Sequence, residues 1–124
     1  MVKEILLIDD DADELEVFSD ALKLIDETFN CLQAKNLEEA MAYLDRTSPA
    51  FIFIDFNMPK LNGLECLFAL KESGRIRNNR VILYSNHITE EMEERAMELG
   101  AFCCIQKPTT IIGLSEKLMR VLKD

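Results

Sequence analysis

Among its 124 residues the chain has no tryptophan and one histidine, and its Lys and Arg number 14 against 23 Asp and Glu. Each shortage narrows what the protein can be. The lone histidine, His87, cannot form a histidine metal cluster, and no catalytic triad can be assembled around it. A net charge of -9 opposes nucleic-acid binding, because phosphate backbones are neutralised by Lys and Arg. That charge favours cations or basic partner surfaces instead. No apolar run approaches the length needed to span a bilayer, and the start Met1-Val2-Lys3-Glu4 lacks the pattern of a secretory signal, so a cytoplasmic protein without membrane contact is expected. The four cysteines show no C-x-x-C spacing and read as buried reduced thiols. Low-complexity tracts and internal repeats are also absent, which argues against disorder.

What is present is a composition suited to one packed domain, 48% hydrophobic and 30% charged, in a chain long enough to bury a sizeable core. A single domain over residues 1–124 is expected. Five hydrophobic runs alternate with amphipathic stretches, the pattern of a parallel sheet with helices on both faces. The first helical stretch places Leu15, Phe18, Leu22 and Ile25 inward, and the second Leu37, Ala40, Met41 and Leu44. Leu64, Leu67 and Phe68 mark the third, which stops near Gly74. The fourth starts at Thr89, buries Met92, Ala96 and Leu99, and shows water five glutamates; the fifth carries Ile111, Leu114, Leu118 and Val121. Lys71, Arg75, Arg77 and Arg80 complement the end of the third helix as a solvated basic group.

Four of the five runs end on a polar residue. Ile5–Ile8 leads into Asp9-Asp10, Phe51–Ile54 into Asp55, Val81–Tyr84 into Ser85, and Phe102–Ile105, one Gln later, into Lys107. The run from Thr28 to Ala34 ends without such a group. In parallel strands those polar ends meet at one edge of the sheet, beyond the carboxyl ends, where ligands of open α/β sheets bind. Three carboxylates brought that close raise one another's pKa unless a cation joins them. Hard carboxylate oxygens with room for water and a phosphate suit Mg2+, and the backbone carbonyl of Asn57, two residues past Asp55, is placed to complete the coordination. Asp55 alone ends the middle apolar run, which makes it the best-placed nucleophile for a phosphoryl group. Ser85 and Lys107 would share the charge of the phosphoryl oxygens.

Taken together, Asp9-Asp10, Asp55 with Asn57-Met58-Pro59 and Asn62-Gly63, Ser85, and Lys107-Pro108 closely resemble the receiver domain of bacterial two-component response regulators, the single-domain chemotaxis type. The resemblance covers essentially the whole chain. It implies a flavodoxin-like, doubly wound, five-stranded parallel sheet in the order 2-1-3-4-5 with five helices. It further implies a phosphorylation-dependent signalling switch rather than a turnover enzyme. Asp55 would accept a phosphoryl group from a histidine kinase or histidine phosphotransfer protein. Asp10, Asp55 and the Asn57 carbonyl would bind Mg2+ directly and Asp9 through water, while Ser85 and Lys107 contact the phosphoryl group. The Lys107-Pro108 bond is often cis in that family. Asn57 and His87, two past the acceptor and two past Ser85, stand where the family tunes phosphate lifetime.

If the chain is complete, output by protein binding is expected, through the face of the fourth helix, fifth strand and fifth helix. Four residues depart from the family pattern, one of them Asn62, which replaces the usual Asp before Gly63 and suits a turn equally well. Cys104 stands where many receivers carry a switching aromatic, Asn86 follows Ser85 where a small residue is common, and Thr109 replaces a frequent aromatic. Three other readings compete. One is a haloacid-dehalogenase-type phosphatase, with Asp9 as nucleophile and Asp11 as acid/base; no acidic pair follows Lys107, and Asp13 stands where that family has Thr. A flavodoxin-type phosphate loop is opposed by the repulsion of Asp9 to Asp13. The third is a receiver-like interaction domain that is not phosphorylated.

Overall fold

The computed structural model describes residues 3–122. Its elements alternate from β1 (Lys3–Ile8) and α1 (Ala12–Lys23) through β2 (Phe29–Ala34), α2 (Leu37–Arg46), β3 (Phe51–Asp55) and α3 (Gly63–Glu72) to β4 (Arg80–Ser85), α4 (Glu90–Glu98), β5 (Cys103–Gln106) and α5 (Ile111–Leu122). The strands form one parallel sheet in the order β2-β1-β3-β4-β5. The topology is the doubly wound, flavodoxin-like one that the sequence resemblance implies.

Strand periodicity divides the core in two. Ile5, Leu7, Phe51, Phe53, Ile82, Tyr84 and Ile105 pack with Phe18 and Leu22 of α1 and Leu114 and Leu118 of α5. The alternate positions Leu6, Ile8, Ile52, Ile54, Val81 and Leu83 pack with Ala40 of α2, Leu67 of α3 and Ala96 of α4. Because both faces are covered, the inner strands read as continuous apolar runs instead of alternating ones. Phe18 meets Phe53 edge-on at a centroid distance of 4.8 Å and Tyr84 at 5.7 Å. Cys103 and Cys104 join opposite clusters, as neighbours in a strand must. Of the four thiols, all free, Cys66 is buried and Cys31, Cys103 and Cys104 are half-buried.

Each helix starts on a side chain that satisfies an orphan backbone donor. Asp11 caps α1 and Asn36 caps α2; Asn62 and Glu65 form a capping box at α3, Thr89 caps α4, and Thr110 Oγ1 accepts from Gly113 at α5. At the far end of α3, Gly74 takes φ +75°, a left-handed conformation that turns the chain out of the helix.

Two expected core residues are exposed. Phe68 is 53% exposed, because the buried stripe of α3 runs through Gly63, Cys66, Leu67 and Leu70 and leaves Phe68 on the outer side. Ile111 is 38% exposed, being the first residue of α5 and lying past the carboxyl edge of the sheet. The basic group after α3 is engaged locally: Arg75 makes a forked pair with Asp45 of α2, and Arg80 lies over the Phe102 ring. Among the described residues no helix is long and apolar enough to cross a membrane.

Candidate functional site

The carboxyl edge of the sheet gathers the residues that ended the hydrophobic runs. Asp9 follows β1 directly and is 1% exposed; Asp55 closes β3 at 4%, and Ser85 closes β4 at 2%. Lys107 follows β5 by one residue, and its backbone N–H donates to Ser85 O at 2.7 Å. Asp10, next along, is exposed. Ligand oxygens of Asp9, Asp10 and Asp55 all lie within 4.8 Å of one another.

Lys107 is the counter-charge at this edge. Its ammonium stands 3.0 Å from Asp55 Oδ1, 3.6 Å from Glu14 Oε1 and 3.9 Å from Asp9 Oδ2, and 5.0 Å above the Tyr84 ring. Burial pulls the lysine pKa down, but the bond to Asp55 and the charges of Asp55, Glu14 and Asp9 outweigh it and raise it overall. Lys107 is therefore held charged. One ammonium cannot neutralise so many carboxylates, and the strain shows at Asp9. Burial pushes its pKa up to about 7 against the lowering effect of the Asp11 N–H bond, with Asp55 adding to the rise. Asp9 Oδ2 is buried and accepts no hydrogen bond.

An orphaned carboxylate oxygen facing two more carboxylates is a donor set for a hard divalent cation. Asp9, Asp10 and Asp55 fit such an ion in chemistry and spacing.

Backbone geometry fixes the rest. Asn57, exposed, donates its N–H to Asp55 Oδ1 at 3.4 Å, so the turn after β3 wraps the Asp55 carboxylate. Gly63 lets α3 begin against that turn, donating its N–H to Phe56 O at 2.9 Å. A Cβ there would sit 2.9 Å from Phe56 Cα and 3.2 Å from Asp55 O, both backbone atoms. Ser85 Oγ donates to His87 O at 3.0 Å and accepts from His87 N–H at 3.3 Å, so its hydroxyl is engaged in its own turn. No peptide bond among the described residues is cis, and the Lys107-Pro108 bond is trans, unlike the isomer often found in the resembled family. Asp11 Oδ1 accepts from Asp13 N–H as the cap of α1, an occupation that opposes the acid/base role a phosphatase would ask of it.

Every sequence-identified residue comes to this edge, Asp9, Asp10, Asp55, Asn57, Ser85 and Lys107 alike. Three contributors lay outside that expectation. Glu14 and Tyr84 flank Lys107, and Gln33 on β2 reaches under the loop between β1 and α1. Tyr84 and Gln33 sit inside strand runs, where nothing in the pattern sets them apart from core or edge positions.

The family model of the response regulator receiver domain matches residues 5–119. A CpxR transcriptional regulatory protein homolog of Haemophilus influenzae is 32% identical over 98% of this chain and 51% of its own length. The phosphate regulon regulator PhoB of Pseudomonas aeruginosa is 29% identical over 98% of this chain and 52% of its own. The chain thus spans about half the length of these curated relatives. Among solved structures, the chemotaxis response regulator CheY4 of Vibrio cholerae superposes with a TM-score of 0.82 at 23% identity, covering 98% of this chain and all of that one. With its sheet order, its acidic edge and this family match, the chain belongs to the response regulator receiver domains.

Proposed function

We propose that this receiver, taken as residues 1–124, is a cytoplasmic switch of a two-component phosphorelay that takes a phosphoryl group on Asp55. The observation that carries the proposal is the buried Asp55 carboxylate, 3.0 Å from Lys107 and within 4.8 Å of the Asp9 and Asp10 ligand oxygens. A carboxylate oxygen of Asp55 attacks the phosphorus of a phosphohistidine on a histidine kinase or phosphotransfer protein. The P–N bond breaks, its electron pair returns to the imidazole, which takes up a proton, and an acyl phosphate remains on Asp55. Lys107, charged and already at Asp55, pairs with a phosphoryl oxygen.

Asp10 and Asp55 with the Asn57 carbonyl would hold Mg2+ directly, and Asp9 would reach it through water. Mg2+ bound there supplies positive charge to the phosphoryl oxygens.

Ser85 gives the switch its mechanical link. To donate to a phosphoryl oxygen its hydroxyl must leave His87 O, which frees the loop between β4 and α4 to rearrange. The adjoining face of α4, β5 and α5 exposes Met97 beside the α4 glutamates, a surface suited to a downstream protein with a basic rim. Cys104 sits on β5 of this face half-buried, so the switch works there without the aromatic that many receivers use. On this reading the chain signals and turns over no substrate beyond its own phosphorylation and dephosphorylation.

The test is intact mass after incubation with magnesium and phosphoramidate, for wild type and Asp55→Ala. A magnesium-dependent gain of one phosphoryl group in wild type alone is expected. No gain with phosphoramidate or with phosphohistidine donors would leave a receiver-like domain that binds partners unphosphorylated.

A further inference from the structure

We propose that Gln33 is a positioning residue for the acidic cluster, its side-chain amide clamping the loop that carries Asp9 and Asp10. Gln33 lies on β2, the edge strand, in register with Leu7 of β1. Its Nε2 donates to Asp9 O and to Asp11 O, both at 2.8 Å. A primary amide nitrogen has two N–H bonds, and both are used here on carbonyls that flank Asp10.

The clamp extends to the carboxylates. The residue whose carbonyl Gln33 holds, Asp11, donates its own N–H to Asp9 Oδ1 at 3.0 Å. Holding the Asp11 backbone therefore also orients the Asp9 side chain. Asp9 N–H bonds to Ala34 O at 2.9 Å, so β2 grips the loop from two consecutive residues, once by backbone and once by side chain. Downstream, the Asp11 carboxylate is occupied in capping α1.

Such a grip answers a specific conflict. The cluster brings Asp9, Asp10 and Asp55 together, and without a cation their repulsion favours a loop that swings away, Asp10 being the exposed member free to do so. A loop pinned in advance spares the cation that work, the usual role of groups that orient metal ligands from behind. The inference rests on the cation site proposed for these carboxylates, and its experiment separates the two.

Magnesium binding to the full chain is measured by titration calorimetry for wild type, Gln33→Met, which keeps side-chain length and removes both donors, and Gln33→Leu. Wild type should bind, and both variants should bind about tenfold or more weakly. With phosphoramidate, the magnesium concentration for half-maximal phosphorylation should rise by the same factor, while the rate at saturating magnesium returns to within about twofold of wild type. A merely structural Gln33 would lower stability and leave both magnesium measurements where they were. Folded variants with wild-type magnesium affinity would overturn the clamp alone, whereas no binding by wild type would overturn the cation site and the clamp with it. Should both variants fold poorly, hydrogen exchange of the Gln33 side-chain amide in wild type decides: slow exchange supports the clamp and solvent-like exchange refutes it.

Discussion

Asp9→Asn should make the protein more stable in the absence of metal, and the gain should depend on pH. The Asp9 carboxyl ionises near 3.8 in an unfolded chain and is pushed up to about 7 in the fold, by burial first and then by Asp55. Below both values it is neutral in either state and costs nothing. As pH rises from about 4 the unfolded chain ionises while the folded one holds its proton, so stability falls until the folded group also ionises near 7. At about 1.4 kcal/mol for each tenfold step, the gap sets a ceiling of roughly 4 kcal/mol at alkaline pH. Asparagine keeps an oxygen for the Asp11 N–H and carries no charge. The stability advantage of Asp9→Asn over wild type should therefore grow by about 2 kcal/mol between about pH 5.5 and about pH 8. Urea unfolding followed by circular dichroism in EDTA measures it. Added magnesium should stabilise wild type and have much less effect on the variant. A variant less stable than wild type at about pH 8 in EDTA, or an advantage that does not change with pH, would refute the reasoning.

Gly63→Ala places a Cβ against Phe56 Cα and Asp55 O, which cannot yield as a side chain would, so a loss of about 1–3 kcal/mol and slower phosphorylation of Asp55 are expected from unfolding and mass kinetics. The thiols should be sluggish: burial pushes Cys31 and Cys66 up to about 12, and burial with Glu93 pushes Cys104 up to about 11, leaving them neutral near physiological pH. A disulfide reagent should titrate them slowly in the native protein and all four quickly in denaturant; fast native reaction would contradict the packing. Asn57 and His87 are exposed, and each places its backbone N–H on a side chain two residues before it, Asn57 on Asp55 Oδ1 and His87 on Ser85 Oγ. Asn57→Ala and His87→Ala should alter the dephosphorylation rate, and an unchanged rate in both would remove these residues as timers.

Much of the site was legible because the sheet does the assembling. Asp9, Asp55 and Ser85 each end or directly follow an inner strand, with Lys107 just past edge strand β5, and parallel strands deliver their carboxyl ends to one edge whatever their order. The order itself came from the family resemblance, since crossovers of similar length permit several arrangements. Phe68 was misplaced because three apolar residues near one another fit more than one helical stripe, and Cys66 with Leu70 decided which one faces the sheet. Gln33 was invisible for a different reason. Its importance lies in two carbonyls 22 and 24 residues away in sequence, brought near by the β1–β2 pairing, and a lone Gln in a short strand carries no periodic signal. The engagement of Ser85 Oγ with His87 is likewise a matter of rotamer, which spacing does not encode.

The central claim is that the acyl phosphate forms on Asp55, and its position can be read directly. After phosphorylation with phosphoramidate and magnesium, borohydride reduction converts an acyl phosphate to a stable alcohol, and peptide mapping by mass spectrometry locates it. The account predicts a single reduced residue, at position 55, lost when magnesium is withheld. Reduction at Asp9, the nucleophile of the rival phosphatase reading, or at no residue despite phosphoryl uptake, would contradict it.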